Sequence, residues 1–508
     1  MQQAKRVAKN TGILYIQMAI TVIMSLYTTR LVLAALGAED FGIFNVVGGA
    51  IAMLTFLNTA MAAASQRFMS YANGQGDIHK LKNIFNISFK LHIFIAFLVV
   101  VLLEVVGYFL LNGILEIDPN RIEVAKLIYQ FLVISTFFTI VSVPYDAVIN
   151  AHENMLLVAI LRIVETVLKL LIAIYITYAV LDKLYLYGLL MAGLSIILLI
   201  IRQLYCHKKY DEVTINFTKY TDKSLRNQMT SFASWSFLGA STSMIANYGQ
   251  GIVLNMFFGT VVNAAQGIAV QVSSQLGAFA SVMLKALNPV LAKSEGAGDR
   301  ALMLKASSMG SKISFFLLVI FYVPVLIEMP YIFNFWLKEV PEYAIIFCRL
   351  LLLKNLIEQL FLTLSSSIAA VGNIRNFQIY SSILNFLPLL VSYLLFYLGF
   401  EPYVLYIVFI AYAILNGIII LYYAKKECNL PVTVYLKNVI VRCVLSFMLI
   451  MLIALIPYYS ITYGFLRLLV VGLTSTLFFL LVTWFIGLQK EEKIMIKGVL
   501  ISFKVKIK

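Results

Sequence analysis

Charge is scarce in this chain. Of 508 residues only 12% are Asp, Glu, Lys or Arg, with 24 acids against 39 bases. A water-soluble domain needs about twice that share to cover its surface. Cysteine is scarce too: Cys206, Cys348, Cys428 and Cys443 stand far apart with no Cys-x-x-Cys pair, so neither a disulfide framework nor a thiolate zinc site is expected. The four histidines (His79, His92, His152, His207) fall at no metal-ligating spacing, and neither a metal nor a cofactor is indicated. Gly74-Gln75-Gly76 lacks both the strand-to-helix setting and the Lys-Ser/Thr of a phosphate loop. Long polar stretches are missing as well. The longest, from about Cys206 to Arg226, is too short to build a soluble core.

Apolar residues are abundant, at 61%, and mean hydropathy is +0.92. Apolar runs of about 20 residues, enough for a helix to cross the hydrocarbon core, recur from end to end. The sequence predicts an all-α polytopic membrane protein with about fourteen spans, near 11–36, 42–69, 89–113, 124–149, 155–180, 184–205, 228–258, 262–289, 313–336, 344–371, 377–399, 403–424, 438–458 and 465–487. The run at 11–36 is too long for the apolar core of a signal peptide and reads as the first span. The net charge of +15 suits loops rather than nucleic acid. With the N-terminus in the cytoplasm, the inside loops collect Lys5, Arg6, Lys9, Lys208, Lys209, Lys223, Arg226, Arg300, Lys425, Lys426 and the tail from Lys490 to Lys508. The outside loops hold few bases and more acid, including Glu39, Asp40, Glu116, Asp118, Asp182, Glu339 and Glu401. Both termini are therefore expected inside.

The chain also repeats itself. A shift of 222 residues places Gly37 on Gly259 and Gly74-Gln75-Gly76-Asp77 on Gly296-Ala297-Gly298-Asp299. A two-residue adjustment then places Leu103-Glu104 on Ile327-Glu328. The expected organisation is an N-lobe of six helices (1–222), a C-lobe of six (223–436), two additional helices (437–487) and a basic cytoplasmic tail (488–508). Six helices per half makes the repeats parallel, about an axis along the membrane normal.

Several segments carry a family likeness. The stretch Arg30-Leu-Val-Leu-Ala-Ala-Leu-Gly37-Ala-Glu-Asp-Phe-Gly42, then Ser65-Gln-Arg67-Phe, then Pro144-Tyr145-Asp146-Ala-Val-Ile-Asn-Ala151-His-Glu-Asn154-Met155 resembles the Wzx-type polysaccharide flippases. These belong to the multidrug/oligosaccharidyl-lipid/polysaccharide superfamily, with MATE exporters and the peptidoglycan lipid II flippase as relatives. The resemblance implies a bacterial inner-membrane protein that moves an undecaprenyl-pyrophosphate-linked oligosaccharide between leaflets by alternating access, without ATP, for O-antigen, lipopolysaccharide or another surface polysaccharide. It implies a monomeric transport unit among membrane lipids, with H+ or Na+ as a possible coupling ion.

Charges within spans are costly, so each is a candidate site. In the fifth span Arg162, Glu165 and Lys169 lie at i, i+3 and i+7, within an arc of roughly 60°. That face suits a phosphate-binding cavity wall, or equally a ladder that neutralises itself. Lys354 and Glu358 pair at i, i+4 in the tenth span, which suits structure more than binding. Arg30, about 10 Å inside the outer end of the first helix, is either a cavity cation or a snorkelling one. Glu104, Glu165 and Glu358 are candidates for ion coupling, Glu104 lacking an obvious partner. Asn247, Gln250, Gln266 and Gln271 supply polar groups for a cavity or for interhelical hydrogen bonds. Arg67, Lys90, Lys285 and Arg349 are expected to snorkel to headgroups. Pro144 and Pro289 are expected to bend their helices.

An ion-coupled multidrug exporter of the MATE type is the alternative function. It would be expected to carry acids in the first, second, seventh and eighth spans, where this sequence has none within the membrane. A pathway enzyme would need a sizeable outer loop, and the outer loops run to roughly ten residues, so the chain is not expected to be an enzyme.

Overall fold

The computed structural model describes residues 2–54, 56–111, 119–337 and 340–494. The predicted outer-loop charges Glu116, Asp118, Lys338 and Glu339 and the tail beyond residue 494 lie outside them.

Among the described residues the chain is helical, with no strand. Two glycines divide its longest helices. Gln2–Leu54 is broken at Gly37 (φ 78°, ψ 171°), and Lys223–Gly296 at Gly259 (φ 74°, ψ −167°). A side chain cannot adopt that backbone without strain, so glycine is what lets each helix reverse there. With these breaks the helices are α1 (2–36), α2 (38–54 and Phe56–Gln75), α3 (Ile78–Phe109), α4 (Ile122–Ala151), α5 (Met155–Tyr178), α6 (Lys183–Lys209), α7 (223–258), α8 (260–296), α9 (Arg300–Trp336), α10 (Ala344–Val371), α11 (Arg375–Tyr397), α12 (Val404–Cys428), α13 (Val432–Ser460) and α14 (Phe465–Gly487). Among the described residues, ten helices are long and apolar enough to cross a membrane. Of the others, α5 and α10 carry the in-membrane charges, while α2 and α7 are rich in small and hydroxylic residues.

The duplicated motifs adopt duplicated conformations. Gly76 (φ 70°) and Gly298 (φ 77°) turn the chain, and the next residue caps the following helix each time. Asp77 accepts from the Lys80 N–H at 2.9 Å, and Asp299 from the Leu302 N–H at 3.0 Å. The expected proline bends are absent as breaks. Non-helical dihedrals fall at Gly37, Gly259 and Glu328, not at Pro144 or Pro289.

Contacts divide the chain into two units. The first gathers Asn10–Ala240 with Gly296–Gly298. In it α4 packs against α2, α3 and α6, and near the outer end Val32, Ala173, Ile176, Leu186 and Tyr187 form a core against Phe41 and Phe44. Arg121, at the start of α4, bridges Asp40 and Asp182. At the opposite end the α4–α5 turn is held by side chains from elsewhere in the unit. The Asn10 amide donates to the Glu153 carbonyl at 3.2 Å and the Asn73 amide to the Ala151 carbonyl at 2.8 Å; His152 meets Glu212 at 2.5 Å. Asn154 caps α5 through the Leu157 N–H and donates to the Tyr205 and Tyr210 hydroxyls. The Ala151-His-Glu-Asn154 part of the motif is thus a structural turn.

The second unit is built around α9, which packs against α10, α13 and α14, with α12 against both α10 and α11. Helix α9 is irregular at Glu328 (φ −95°, ψ 16°), two residues before Pro330. Pro330 has no N–H for the Leu326 carbonyl. Arg349 of α10 supplies one, its Nε donating to that oxygen at 3.0 Å. This corrects the snorkelling expected of Arg349: a broken helix offers a free acceptor nearer than the headgroups.

Candidate functional site

The strongest concentration of in-membrane charge lies in the first unit, on α4, α5 and α6. Glu165 receives Lys169 Nζ at 2.7 Å and Arg162 Nη1 at 3.7 Å. One helix over, Arg202 of α6 donates through Nε to Asp146 of α4 at 2.8 Å. The two groups sit on three helices of one unit that pack on one another. Three cations therefore face two carboxylates, leaving one positive charge in excess.

The helix surface shows which way this cluster points. Ile160, Val167, Leu171, Ile174 and Tyr178 are exposed and fall within about 40° of one line along α5. An exposed apolar stripe of that length is the face a spanning helix offers to lipid. Arg162, Glu165 and Lys169 centre roughly 180° from it, yet the side chains of Arg162 and Lys169 are 58% and 38% accessible. Asp146 is 40% accessible. In a spanning helix, charged side chains set away from the apolar stripe are placed to meet water or a polar group, since hydrocarbon would exact several kcal/mol from each. Arg162 stands about 10 Å from the start of α5 and Lys169 about 21 Å, at 1.5 Å per residue, so the cluster lies well inside the helix.

Asp146 and Arg202 were not among the residues singled out from the sequence. Asp146 was legible only as part of the Pro144-Tyr145-Asp146 motif, and Arg202 carried no signal of its own.

The remaining expected residues separate. Arg30 is exposed and makes no ion pair with this cluster among the described residues. Glu104 accepts from the Gln130 amide at 3.0 Å and is exposed. In the second unit Lys354 and Glu358 do pair, at 2.9 Å. Beside them Asn355 donates to Ser273 at 2.6 Å, and Asn385 ties Thr242, Ser243 and Tyr412 together. Gln250 and Gln266 are buried, as packing residues are, whereas Asn247 and Gln271 are exposed. Two expected snorkellers find protein partners, Lys90 at the exposed surface and Arg67 half-buried. Lys90 donates to the Phe217 carbonyl at 2.9 Å, and Arg67 stacks on Phe68 and Tyr71 at 4.5 and 4.9 Å. Lys285 is exposed.

Two further ion pairs lie where the sequence gave no signal. Arg467 of α14 makes a two-point contact with Glu328 of α9, fully buried. Lys312 of α9 meets Glu492 at 2.6 Å beside a cavity of about 440 Å³ that also includes Lys305, Tyr435 and Glu491. Glu491 and Glu492 take up both lysines of that cavity.

Among known proteins, the MatE family model matches residues 14–175. A search of curated proteins gave no match. Solved structures match over most of the chain. An outward-facing multidrug resistance MATE family transporter of the MOP superfamily has a TM-score of 0.70 at 13% identity, covering 84% of this chain and 96% of its own. The fold is that of the MATE transporters. A MOP superfamily transporter from Pyrococcus furiosus, whose binding pocket is described as of reverse polarity and suggestive of a different function, has a TM-score of 0.69 at 13% identity, covering 85% and 97%. The MATE transporter ClbM in complex with Rb+ has a TM-score of 0.67 at 14% identity, covering 85% and 96%. The break at Gly37 lies inside the family match. At these identities it assigns no cargo.

Proposed function

We propose that this chain is a membrane transporter of MATE architecture that carries an anionic amphiphile, and that residues 1–222 and 223–436 are two related lobes working by alternating access. The observation that carries the reading is the cluster of Arg162, Glu165, Lys169, Asp146 and Arg202, with its excess positive charge on the side of α5 away from lipid. Arginine and lysine in a poorly hydrated space bind phosphate oxygens strongly, arginine by two parallel hydrogen bonds. An undecaprenyl-pyrophosphate-linked oligosaccharide is the cargo that the motif resemblance adds, placing the chain in the bacterial inner membrane with both termini inside. H+ or Na+ is the coupling ion this reading requires.

The comparisons favour a second reading, ion-coupled multidrug export, because the family match and the similar structures are drug and MATE transporters. The charge separates the two readings. A carrier for organic cations gains nothing from a site with surplus positive charge, and like charges repel.

Deletion in the native host tests the choice. Loss of surface polysaccharide with lipid-linked repeat units held at the cytoplasmic leaflet is expected. Unchanged polysaccharide together with new sensitivity to cationic drugs would replace the first reading by the second.

A further inference from the structure

The two units treat equivalent glutamates differently, and the difference marks a docking face. Glu328 of α9 and Glu104 of α3 occupy matching places in the repeat. In the second unit α13 and α14 cover α9, Arg467 inserts against Glu328, and 61% of the most apolar stretch of α9 is buried. In the first unit nothing equivalent covers α3 among the described residues, and the corresponding share is 28%. Glu104 meets only a neutral amide, that of Gln130, and no cation pairs with it among the described residues. Its surroundings on α3 are exposed and apolar: Phe97, Val101, Val105 and Tyr108, with Leu127 and Ile134 exposed on α4. Glu104 lies about 8 Å inside the end of α3 at 1.5 Å per residue, at the margin of this apolar stripe. A carboxylate at that depth on a lipid-facing margin is unfavourable by itself and strongly favours a buried cationic partner.

We propose that the α3–α4 face around Glu104 is the binding surface for a membrane-spanning helix of another protein, one carrying an arginine or lysine near its outer end. The chemistry is that which Arg467 supplies to Glu328 within the second unit. A second copy of this chain is a poorer occupant, because its Arg467 is already consumed by its own Glu328. The proposal does not depend on the cargo.

The probe is a set of synthetic leucine-rich spanning peptides of 23 residues, the length of α14. They carry Arg, Gln or Leu at the third position, as α14 does with Arg467. The full-length protein, with a photo-crosslinking residue at Val101, is reconstituted with each peptide in phosphatidylcholine vesicles. Capture of the Arg peptide about tenfold above the Leu peptide is expected, a difference worth about 1.4 kcal/mol. Glu104→Gln should abolish the excess, and Glu104→Arg should transfer it to a Glu peptide. Val101→Trp, with the crosslinker moved to Val105, should block capture without touching the charge. Unchanged thermal unfolding of each variant keeps the comparison valid. Equal capture of Arg and Leu peptides, an excess that survives Glu104→Gln, or crosslinking chiefly to a second copy would overturn the proposal. So would complete suppression by phosphatidylethanolamine, which would mean that a lipid amine fills the site.

Discussion

Arg467 and Glu328 meet at two points, Nε to Oε1 at 2.7 Å and Nη2 to Oε2 at 2.9 Å, with Glu328 wholly buried and the guanidinium stacked on Tyr458 at 4.3 Å. This pair joins α14 to α9 where α9 is broken. The break leaves polar groups inside the unit, and two arginines from later in the chain, Arg349 of α10 and Arg467 of α14, answer them.

Removing one member of that pair should be costly. Arg467→Ala leaves the Glu328 carboxylate buried without a partner, and a loss of about 3–5 kcal/mol is expected. Arg467→Met with Glu328→Gln should recover most of it. Thermal unfolding in detergent measures both, and equal stability of the single and double variants would count against the pairing.

Arg349 should show a smaller effect with a distinct signature. Arg349→Ala strands the Leu326 carbonyl that Pro330 cannot serve, at about 1–3 kcal/mol. Pro330→Ala restores a backbone donor, so Arg349→Ala in that background should cost clearly less. Full additivity of the two substitutions would break the link between them.

The charged face of α5 should separate function from folding. Arg162→Ala and Lys169→Ala are each expected to reduce transport about tenfold or more, equivalent to 1.4 kcal/mol, at unchanged membrane abundance. Arg202→Ala is expected to lower abundance as well, because it deprives Asp146 of its only direct cationic partner among the described residues. Undiminished transport in both α5 variants would return that face to a purely structural role.

The outer bridge gives a pH dependence. Burial works to raise the Asp182 carboxyl, but its hydrogen bonds from the Arg121 side chain and the Tyr185 N–H outweigh burial and hold it below its ordinary value. A carboxylate depressed in the folded state stabilises above its unfolded value near about 3.9 and loses that contribution as pH falls through the folded value. The unfolding midpoint of wild type should therefore exceed that of Arg121→Ala near neutrality, and the gap should close as pH falls below about 4. A gap that stays constant down to pH 3 would exclude the ionised bridge as its source.

Much of this protein was legible before its structure. The spans follow from apolar runs, because an unsatisfied backbone cannot cross hydrocarbon and helices are the local solution. Gly37 with Gly259, and Gly76-Asp77 with Gly298-Asp299, marked the breaks and caps, since left-handed backbone and helix starts constrain residue type locally. The Arg162–Glu165–Lys169 face needed only helical periodicity.

What stayed hidden were the partners. Asp146 and Arg202 lie 56 residues apart, and Glu328 and Arg467 lie 139 apart. No local rule connects them. The partners of Lys90, Arg67 and Arg349 stayed hidden for the same reason: a long cation takes the nearest acceptor or ring, and only packing says which that is. Sequence alone therefore determined the apolar spans, the helices and the paired glycine breaks and caps, because those depend on solvent transfer and on dihedral preference within a few residues. Tertiary structure decided which charges pair and which are buried, because electrostatic energy in a low-dielectric interior depends on distances that only the folded chain sets.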